Sequence, residues 1–118
     1  GQLGLGDMIE RNTPRRVGSD TDWMAVRGGD NYSGALKDDG TLWKWGGDYA
    51  LLDCDAVDCT YPQQKESATN WIAITVGQYH NLSIKEDGTL WTWGSNYEGY
   101  LGLGEGADDF VHIPTVIR

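Results

Sequence analysis

The densest group of chemically reactive side chains in this sequence is a short acidic segment with two cysteines. Cys54 and Cys59 enclose four residues, and three carboxylates accompany them, those of Asp53, Asp55 and Asp58. An even cysteine count in a turn-like setting favours a small disulfide loop in an oxidising compartment, with a reduced pair and a metal site as the alternatives. Zinc normally takes four ligands, and both histidines lie far away in the sequence. The EF-hand order fails, because its sixth position is not glycine and Gln64 stands where its twelfth needs glutamate. We therefore predict no metal site and keep the aspartates only as candidate calcium ligands.

Catalytic combinations find little support elsewhere in the chain. The glycine-rich segment 1–6 lacks the spacing of a dinucleotide-binding fingerprint. Ser83 lies three residues after His80, and in a strand an odd offset puts two side chains on opposite faces. We therefore expect that the chain is not an enzyme, has no catalytic residues and uses no cofactor.

The charge of the chain argues against two classes of partner. The 118 residues include 18 Asp and Glu but only 9 Lys and Arg, which gives a net charge of −9. A field of that sign repels duplex nucleic acid and anionic membranes, so we expect neither as a partner. The longest apolar stretches span a few residues, whereas a transmembrane helix needs about 20.

An internal repeat organises most of the sequence. The stretch DGTLWKWG at 39–46 returns as DGTLWTWG at 87–94, an offset of 48, and 11 of the 24 residues in 23–46 are identical to those in 71–94. The stretch GQLGLG at 1–6 returns as GYLGLG at 99–104. We therefore divide one domain, 1–118, into repeat units of about 1–46 and 47–94 and an incomplete unit, 95–118.

Residue types and periodicity predict an all-β fold. Seventeen glycines, six tryptophans and six tyrosines disfavour helices and favour strands. The pairs Asp39-Gly40 and Asp87-Gly88 predict two-residue type I′ hairpins. The expected strands are Trp23–Val26, Ser33–Lys37, Thr41–Trp45, Trp71–Val76, Leu82–Lys85 and Thr89–Trp93, with Arg15–Val17 and Gln63–Lys65 as edge or connecting strands.

The repeat resembles the regulator of chromosome condensation repeat family. The residues that carry the resemblance are WMAVRGG at 23–29, ALKDDGTLWKWG at 35–46, GQYH at 77–80, SIKEDGTLWTWG at 83–94 and GQLGLG at 1–6. The resemblance implies four-stranded antiparallel propeller blades, commonly seven to a ring, and no cofactor. A seven-bladed ring needs about 350 residues and four blades are the usual minimum, so we predict a partial propeller.

Two and a half units leave strand edges and blade faces without neighbours. Exposed edges promote pairing with another chain, and an uncovered repeat leaves apolar surface in water. We expect the 118 residues to self-associate through these open blade edges or to be part of a longer chain.

Aromatic side chains divide into two groups by their place in the repeat. Tryptophans recur at fixed repeat positions, which favours core packing over stacking on sugars or single-stranded nucleic acid; they are Trp23, Trp43, Trp45, Trp71, Trp91 and Trp93. Tyrosines in connecting segments are candidates for binding loops, together with the three aspartates; they are Tyr49, Tyr61, Tyr97 and Tyr100.

These features predict a non-catalytic propeller scaffold that binds a protein partner through its rim loops. One alternative is an extracellular adhesion domain that depends on glycan or calcium. Another is exchange-factor or enzyme-inhibitor activity, which rests on family analogy alone. The predicted disulfide favours an extracellular or cell-surface location, with the cytoplasm as the alternative.

Overall fold

The computed structural model describes residues 1–47 and 58–118 and places eight strands there in two four-stranded antiparallel sheets. The first sheet, called blade 1, has the order β1 (Trp23–Gly28), β2 (Tyr32–Lys37), β3 (Leu42–Gly46) and β4 (Gln63–Gln64). The second, called blade 2, has the order β5 (Trp71–Val76), β6 (His80–Lys85), β7 (Leu90–Ser95) and β8 (Phe110–Val116). Two 3₁₀ turns span Asp58–Thr60 and Tyr97–Gly99. The predicted all-β architecture of propeller blades is confirmed. No helix in the described ranges has the length and apolar character needed to cross a membrane.

The two blades repeat each other down to their strand register. Trp23 pairs with Lys37 in blade 1 as Trp71 pairs with Lys85 in blade 2, and both pairings shift register two residues later. The blades are out of phase with the repeat units, because each one closes with a fourth strand from the following unit. Blade 1 ends at Gln64 in the unit 47–94, and blade 2 ends at Val116 in the unit 95–118.

The hairpins between the second and third strands differ from the predicted type. Gly40 has φ +77° but Asp39 does not have positive φ, whereas a type I′ turn needs both. The loop instead has three residues, because the Lys37 N–H bonds to the Thr41 carbonyl and the Gly40 N–H bonds to the Lys37 carbonyl. The Thr41 hydroxyl and backbone N–H both donate to Asp39 Oδ1, at 2.6 and 3.0 Å, and these bonds lower the pKa of Asp39.

Two strands at the edges also depart from the sequence expectation. The segment Arg15–Val17 is not a strand, although an offset of 48 maps its first two residues onto β4. β4 forms because β3 lies beside it, whereas no described strand lies beside Arg15. β8 was not predicted, because Pro114 lies inside it. Proline lacks the N–H of a ladder donor, and β8 tolerates it as the edge strand of its sheet.

Each blade contains a lysine between two tryptophan rings. Lys37 Nζ lies 4.8 and 4.6 Å from the ring centres of Trp23 and Trp43, and Lys85 Nζ lies 4.5 and 4.0 Å from those of Trp71 and Trp91. Trp45, Trp71 and Trp93 are buried, whereas Trp23, Trp43 and Trp91 are half-buried.

The core lies where the two blades pack together, a contact called the blade joint. Blade 1 contributes Leu36 and Leu42, and blade 2 contributes Trp71, Ile74 and Trp93. All five side chains are at least 95% buried, so one apolar cluster fixes the blades against each other.

The far side of blade 2 is an apolar surface that no described residue covers. This open face is lined by Ala73, Leu82, Ile84 and Leu90 among others. Ile84 is 37% exposed and Leu90 is 38% exposed, whereas their repeat equivalents Leu36 and Leu42 are buried at the blade joint. A further blade packed on this face would therefore bury Ile84 and Leu90, as blade 2 buries Leu36 and Leu42.

Candidate functional site

Four aromatic residues from two neighbouring segments lie at one end of blade 2. The turn between β5 and β6 and the segment after β7 lie side by side there, because the Ser95 N–H donates to the Tyr79 carbonyl at 2.8 Å. The ring centres of Tyr97 and Tyr100 are 6.0 Å apart, and those of His80 and Tyr100 are 5.6 Å apart. We call Tyr79, His80, Tyr97 and Tyr100 the rim cluster.

The rim cluster is accessible to a partner. Tyr97 is 66% exposed, Tyr100 is 44% exposed and Tyr79 is 43% exposed. The Tyr79 hydroxyl also accepts a hydrogen bond from Gln78 Nε2 at 3.0 Å. The cluster therefore offers flat apolar rings and polar hydroxyls together, a combination that is common at protein interfaces.

A network of backbone hydrogen bonds holds the loop that carries two of these tyrosines. The Gly99 N–H donates to the Asn96 carbonyl at 2.9 Å, and the Leu101 N–H donates to Asn96 Oδ1 at 3.2 Å. The Asn96 N–H in turn donates to the Asp109 carbonyl at 2.8 Å. Leu101 is fully buried and anchors the loop, so the exposed tyrosines stand on a fixed support.

Glu98 interrupts the 3₁₀ turn in a conformation that glycine usually takes. Its φ is +52°, in the left-handed region that costs a residue with a side chain about 1–2 kcal/mol. Its side chain is exposed, and no ion pair to it occurs within residues 1–47 and 58–118. Strained residues of this kind cluster at functional sites, and Glu98 lies between Tyr97 and Tyr100 in the sequence.

The sequence pointed to half of the rim cluster. Tyr97 and Tyr100 were candidates because they lie in a connecting segment, whereas Tyr79 and His80 were missed inside the repeat. A detectable signal exists at one of them, because Tyr79 replaces the polar Asn31 of the first unit. Gln2, the repeat equivalent of Tyr100, likewise shows that the repeat does not require an aromatic residue there.

Tyr61 does not belong to the rim cluster. It is 43% exposed and lines a shallow groove beside blade 1 with Gly4, Val17 and Trp23. It therefore remains a separate candidate for binding.

The acidic cysteine segment falls almost wholly outside the described residues, as do Tyr49, Asp53, Cys54, Asp55 and the side chain of Asp58. Cys59 is fully buried in a small cluster with Tyr32. The Cys54–Cys59 disulfide and the candidate calcium ligands therefore stay predictions. In the ranges that the structure covers, no three His, Cys, Asp or Glu side chains are grouped closely enough to hold a metal ion.

The C-terminal part of the chain matches models of a known repeat family. Two family models, both described as the regulator of chromosome condensation (RCC1) repeat, match residues 71–99 and 87–118. Together they cover 71–118, the part of the chain that forms blade 2. No curated protein sequence matches the chain.

Solved structures share the fold over almost the whole chain. Prp20p from Saccharomyces cerevisiae, in a study of its binding to Gsp1p and histones, matches 99% of this chain with a TM-score of 0.79 and 19% identity. Human WBSCR16 matches 99% with a TM-score of 0.74 and 20% identity. Yeast RCC1 (Prp20) bound to Kap60 matches 85% with a TM-score of 0.72 and 19% identity. The matches cover 32%, 32% and 26% of those chains, so this chain spans about a third of their length or less.

The extracellular or cell-surface location expected from the sequence is wrong. Two of the solved structures that share this fold are described with Kap60 or with Gsp1p and histones as binding partners, which points away from an extracellular location. That expectation depended on a disulfide at Cys54, a residue that lies outside the described ranges.

Proposed function

We propose that this chain, which is built from regulator of chromosome condensation repeats, is part of a β-propeller scaffold that binds a protein partner through its rim. The observation that supports this most directly is the rim cluster, whose tyrosines are 43–66% exposed on a hydrogen-bonded loop. The role is non-catalytic: the blades hold the loops in place, and the loops make the contacts.

The chemistry of the rim cluster favours a protein surface as the ligand. Tyrosine gives large contact area at a low cost in side-chain entropy, and its hydroxyl pairs with polar groups of a partner. A stable interface buries about 800 Å² on each side. Four aromatic side chains supply a fraction of that area, so the partner also contacts surfaces beyond the cluster.

The charge of the chain favours a partner with a basic surface. The net charge of −9 attracts positively charged proteins over several ångströms, and the exposed Glu98 belongs to the loop that carries Tyr97 and Tyr100. Arginine or lysine side chains of such a partner can also stack on the tyrosine rings.

The other functions considered have weaker support. The adhesion alternative required an extracellular location, and its candidate calcium ligands lie outside the described residues. Exchange-factor or enzyme-inhibitor activity rests on analogy between folds, because no residue of this chain is assigned to either role.

Substitution of Tyr97 tests the rim proposal. We expect Tyr97→Ala to weaken retention of binding proteins in quantitative affinity capture at least about tenfold, since exposed interface tyrosines often contribute 2 kcal/mol or more to binding. Melting temperature should change little, because the side chain is 66% exposed.

Tyr79 and Tyr61 provide a matched comparison, because each is 43% exposed. Tyr79→Ala should reduce the retention of the same proteins, and Tyr61→Ala should not. Equal retention by the wild type and by the Tyr97 and Tyr79 variants would contradict the assignment of binding to the rim cluster.

We further propose that the open face of blade 2 mediates self-association when no further blade covers it. The groove between Ala73 and Leu90 is mostly apolar, and two of its side chains, Ile84 and Leu90, are more than a third exposed. If a second copy stacked head-to-tail on this face, it would bury Ile84 and Leu90. Blade 2 buries the equivalent side chains of blade 1, Leu36 and Leu42, in the same way.

Sedimentation of the 118-residue chain at micromolar concentration tests this self-association. We expect oligomers for the wild type and a shift towards monomer for Ile84→Glu, because a carboxylate in that contact would lose its water. Met24→Glu is the control, since Met24 is 68% exposed and lies away from the open face. A wild-type chain that sediments as a compact, cooperatively melting monomer would rule out this proposal.

A further inference from the structure

A buried lysine crosses the blade joint, and the repeat has a threonine, Thr92, at the equivalent position of blade 2. Lys44 on β3 of blade 1 is only 3% exposed, and its Nζ donates a hydrogen bond to Oδ1 of Asn81 on β6 of blade 2. Asn81 is fully buried. The two residues belong to different blades, so this bond exists only when these two faces are stacked.

Aromatic rings close the space around the amine. The ring centre of Tyr32 lies 4.6 Å from Lys44 Nζ, and that of Trp93 lies 5.2 Å away. The Tyr32 hydroxyl also donates to the His80 carbonyl at 3.0 Å, a second hydrogen bond across the joint. Asn81 Oδ1 is thus the group placed to accept from an amine that has little access to water.

Stability alone does not explain this pair. Burial lowers the pKa of Lys44 well below its usual value, and the charge of Lys65 acts in the same direction. Asn81 Nδ2 is buried without a hydrogen-bond partner among the described residues. Apolar residues of similar volume would avoid both costs, and such replacements of buried polar pairs are often neutral or stabilising.

The other repeat unit has different residues at the positions equivalent to Lys44 and Asn81. An offset of 48 maps Lys44 onto Thr92, and it maps Ser33 onto Asn81. Ser33 donates instead to the Gln2 carbonyl at 2.9 Å. A joint formed between any other pair of these faces would therefore lack the lysine, the asparagine or both.

A mismatched joint would leave one member of the pair without its partner. If the face that carries Ser33 in a second copy stacked on blade 1, the shorter serine side chain would replace the asparagine, and the Lys44 amine would be buried without the acceptor that Asn81 provides. If Asn81 met a threonine, its Oδ1 would lose the amine. Burying an unpaired charge or polar group is costly, so such joints are disfavoured.

We propose that Lys44 and Asn81 are a specificity pair that selects which blade faces stack, so that the face of blade 2 that carries Asn81 packs on the face of blade 1 that carries Lys44 and not on the similar face that carries Thr92. The two repeat units have apolar residues at the same core positions, and those positions cannot distinguish one joint from another. A buried polar pair that occurs at a single joint can distinguish that joint from the others, as buried polar residues set the register and partner choice of coiled coils.

The test replaces the pair by apolar residues of similar size, in the Ile84→Glu chain so that the open face does not contribute. We expect Lys44→Met together with Asn81→Leu to melt at or above the temperature of the parent. The same double variant should place at least about ten times more protein in larger species in sedimentation velocity, because the joint no longer discriminates between faces.

The single variants separate selection from simple packing. Asn81→Leu alone should lower the melting temperature by more than about 10 °C, because it leaves the amine buried without an acceptor. Lys44→Met with Asn81→Leu should recover that loss.

Three outcomes would overturn the proposal. They are a double variant that sediments like its parent, a double variant that no longer melts cooperatively, and an Asn81→Leu variant as stable as its parent. The first would show no selection, the second would make the pair a requirement for folding, and the third would show that the two residues are not coupled.

Discussion

Replacing Trp93 by alanine is expected to lower the free energy of unfolding by about 3–5 kcal/mol, the usual cost of removing a large buried aromatic side chain. Trp93 is fully buried at the blade joint, where its ring centre lies 6.3 Å from that of Trp71. Its removal leaves a cavity between the blades, lined by Leu36 and Leu42 among others. Urea denaturation followed by far-ultraviolet circular dichroism measures the change.

Trp91 is the matched control two residues away. It is half-buried at the margin of the same apolar cluster, and the Lys85 amine lies 4.0 Å from its ring centre. Trp91→Ala should therefore cost about 1–3 kcal/mol, since half-buried aromatic surface contributes less. Equal losses for both variants would mean that the blade joint does not carry the stability assigned to it.

Gly40→Ala is expected to destabilise the chain by about 3–5 kcal/mol, because two penalties coincide at this turn. The first is the positive φ of +77°, which costs an alanine about 1–2 kcal/mol. The second is steric, since a Cβ on Gly40 would lie 2.0 Å from the Thr69 carbonyl oxygen and 2.6 Å from its carbon. Both atoms belong to the backbone that leads into β5, so the clash must be relieved by moving the blades apart.

Gly88→Ala isolates the first penalty. Gly88 occupies the same turn of blade 2 with φ +81°, but nothing lies within 4 Å of the position of its Cβ. We expect a loss of about 1–2 kcal/mol from the backbone conformation alone. Thermal melts of both variants compare the two glycines directly, and a Gly88 loss as large as that of Gly40 would refute the clash across the joint.

Sequence periodicity predicted most strands, because each strand pattern occurs in both repeat units. The alternation around Trp91 and Trp93 and the Asp-Gly pairs placed the second and third strands of both blades within a few residues. Edge strands were harder, since pairing partners decide them. Gln63–Gln64 forms a strand because β3 lies beside it, whereas Arg15 at the equivalent position has no such neighbour.

The candidate site was predicted less completely than the fold. Tyr97 and Tyr100 stood out because they lie in a connecting segment. Their distance from His80 could not be predicted from the sequence. The repeat equivalent of His80 is Tyr32, which is buried, so the repeat alone did not indicate that His80 belongs to an exposed cluster. The burial of Lys44 was not predicted either, because a lysine that alternates with two tryptophans in a strand is expected to face solvent. Its burial depends on blade 2 packing over it, which is a tertiary effect that local pattern does not contain.

The phase difference between repeat units and blades bears on how such a chain gains or loses length. Because each sheet takes its last strand from the next unit, a duplication or deletion of one 48-residue unit cuts two sheets at equivalent points instead of removing one whole. The severed parts have matching register, as Trp23–Lys37 and Trp71–Lys85 show, so they can rejoin as a hybrid sheet. Modular growth of the ring is then limited less by strand pairing than by the residues that differ between units, such as those at positions 44 and 81.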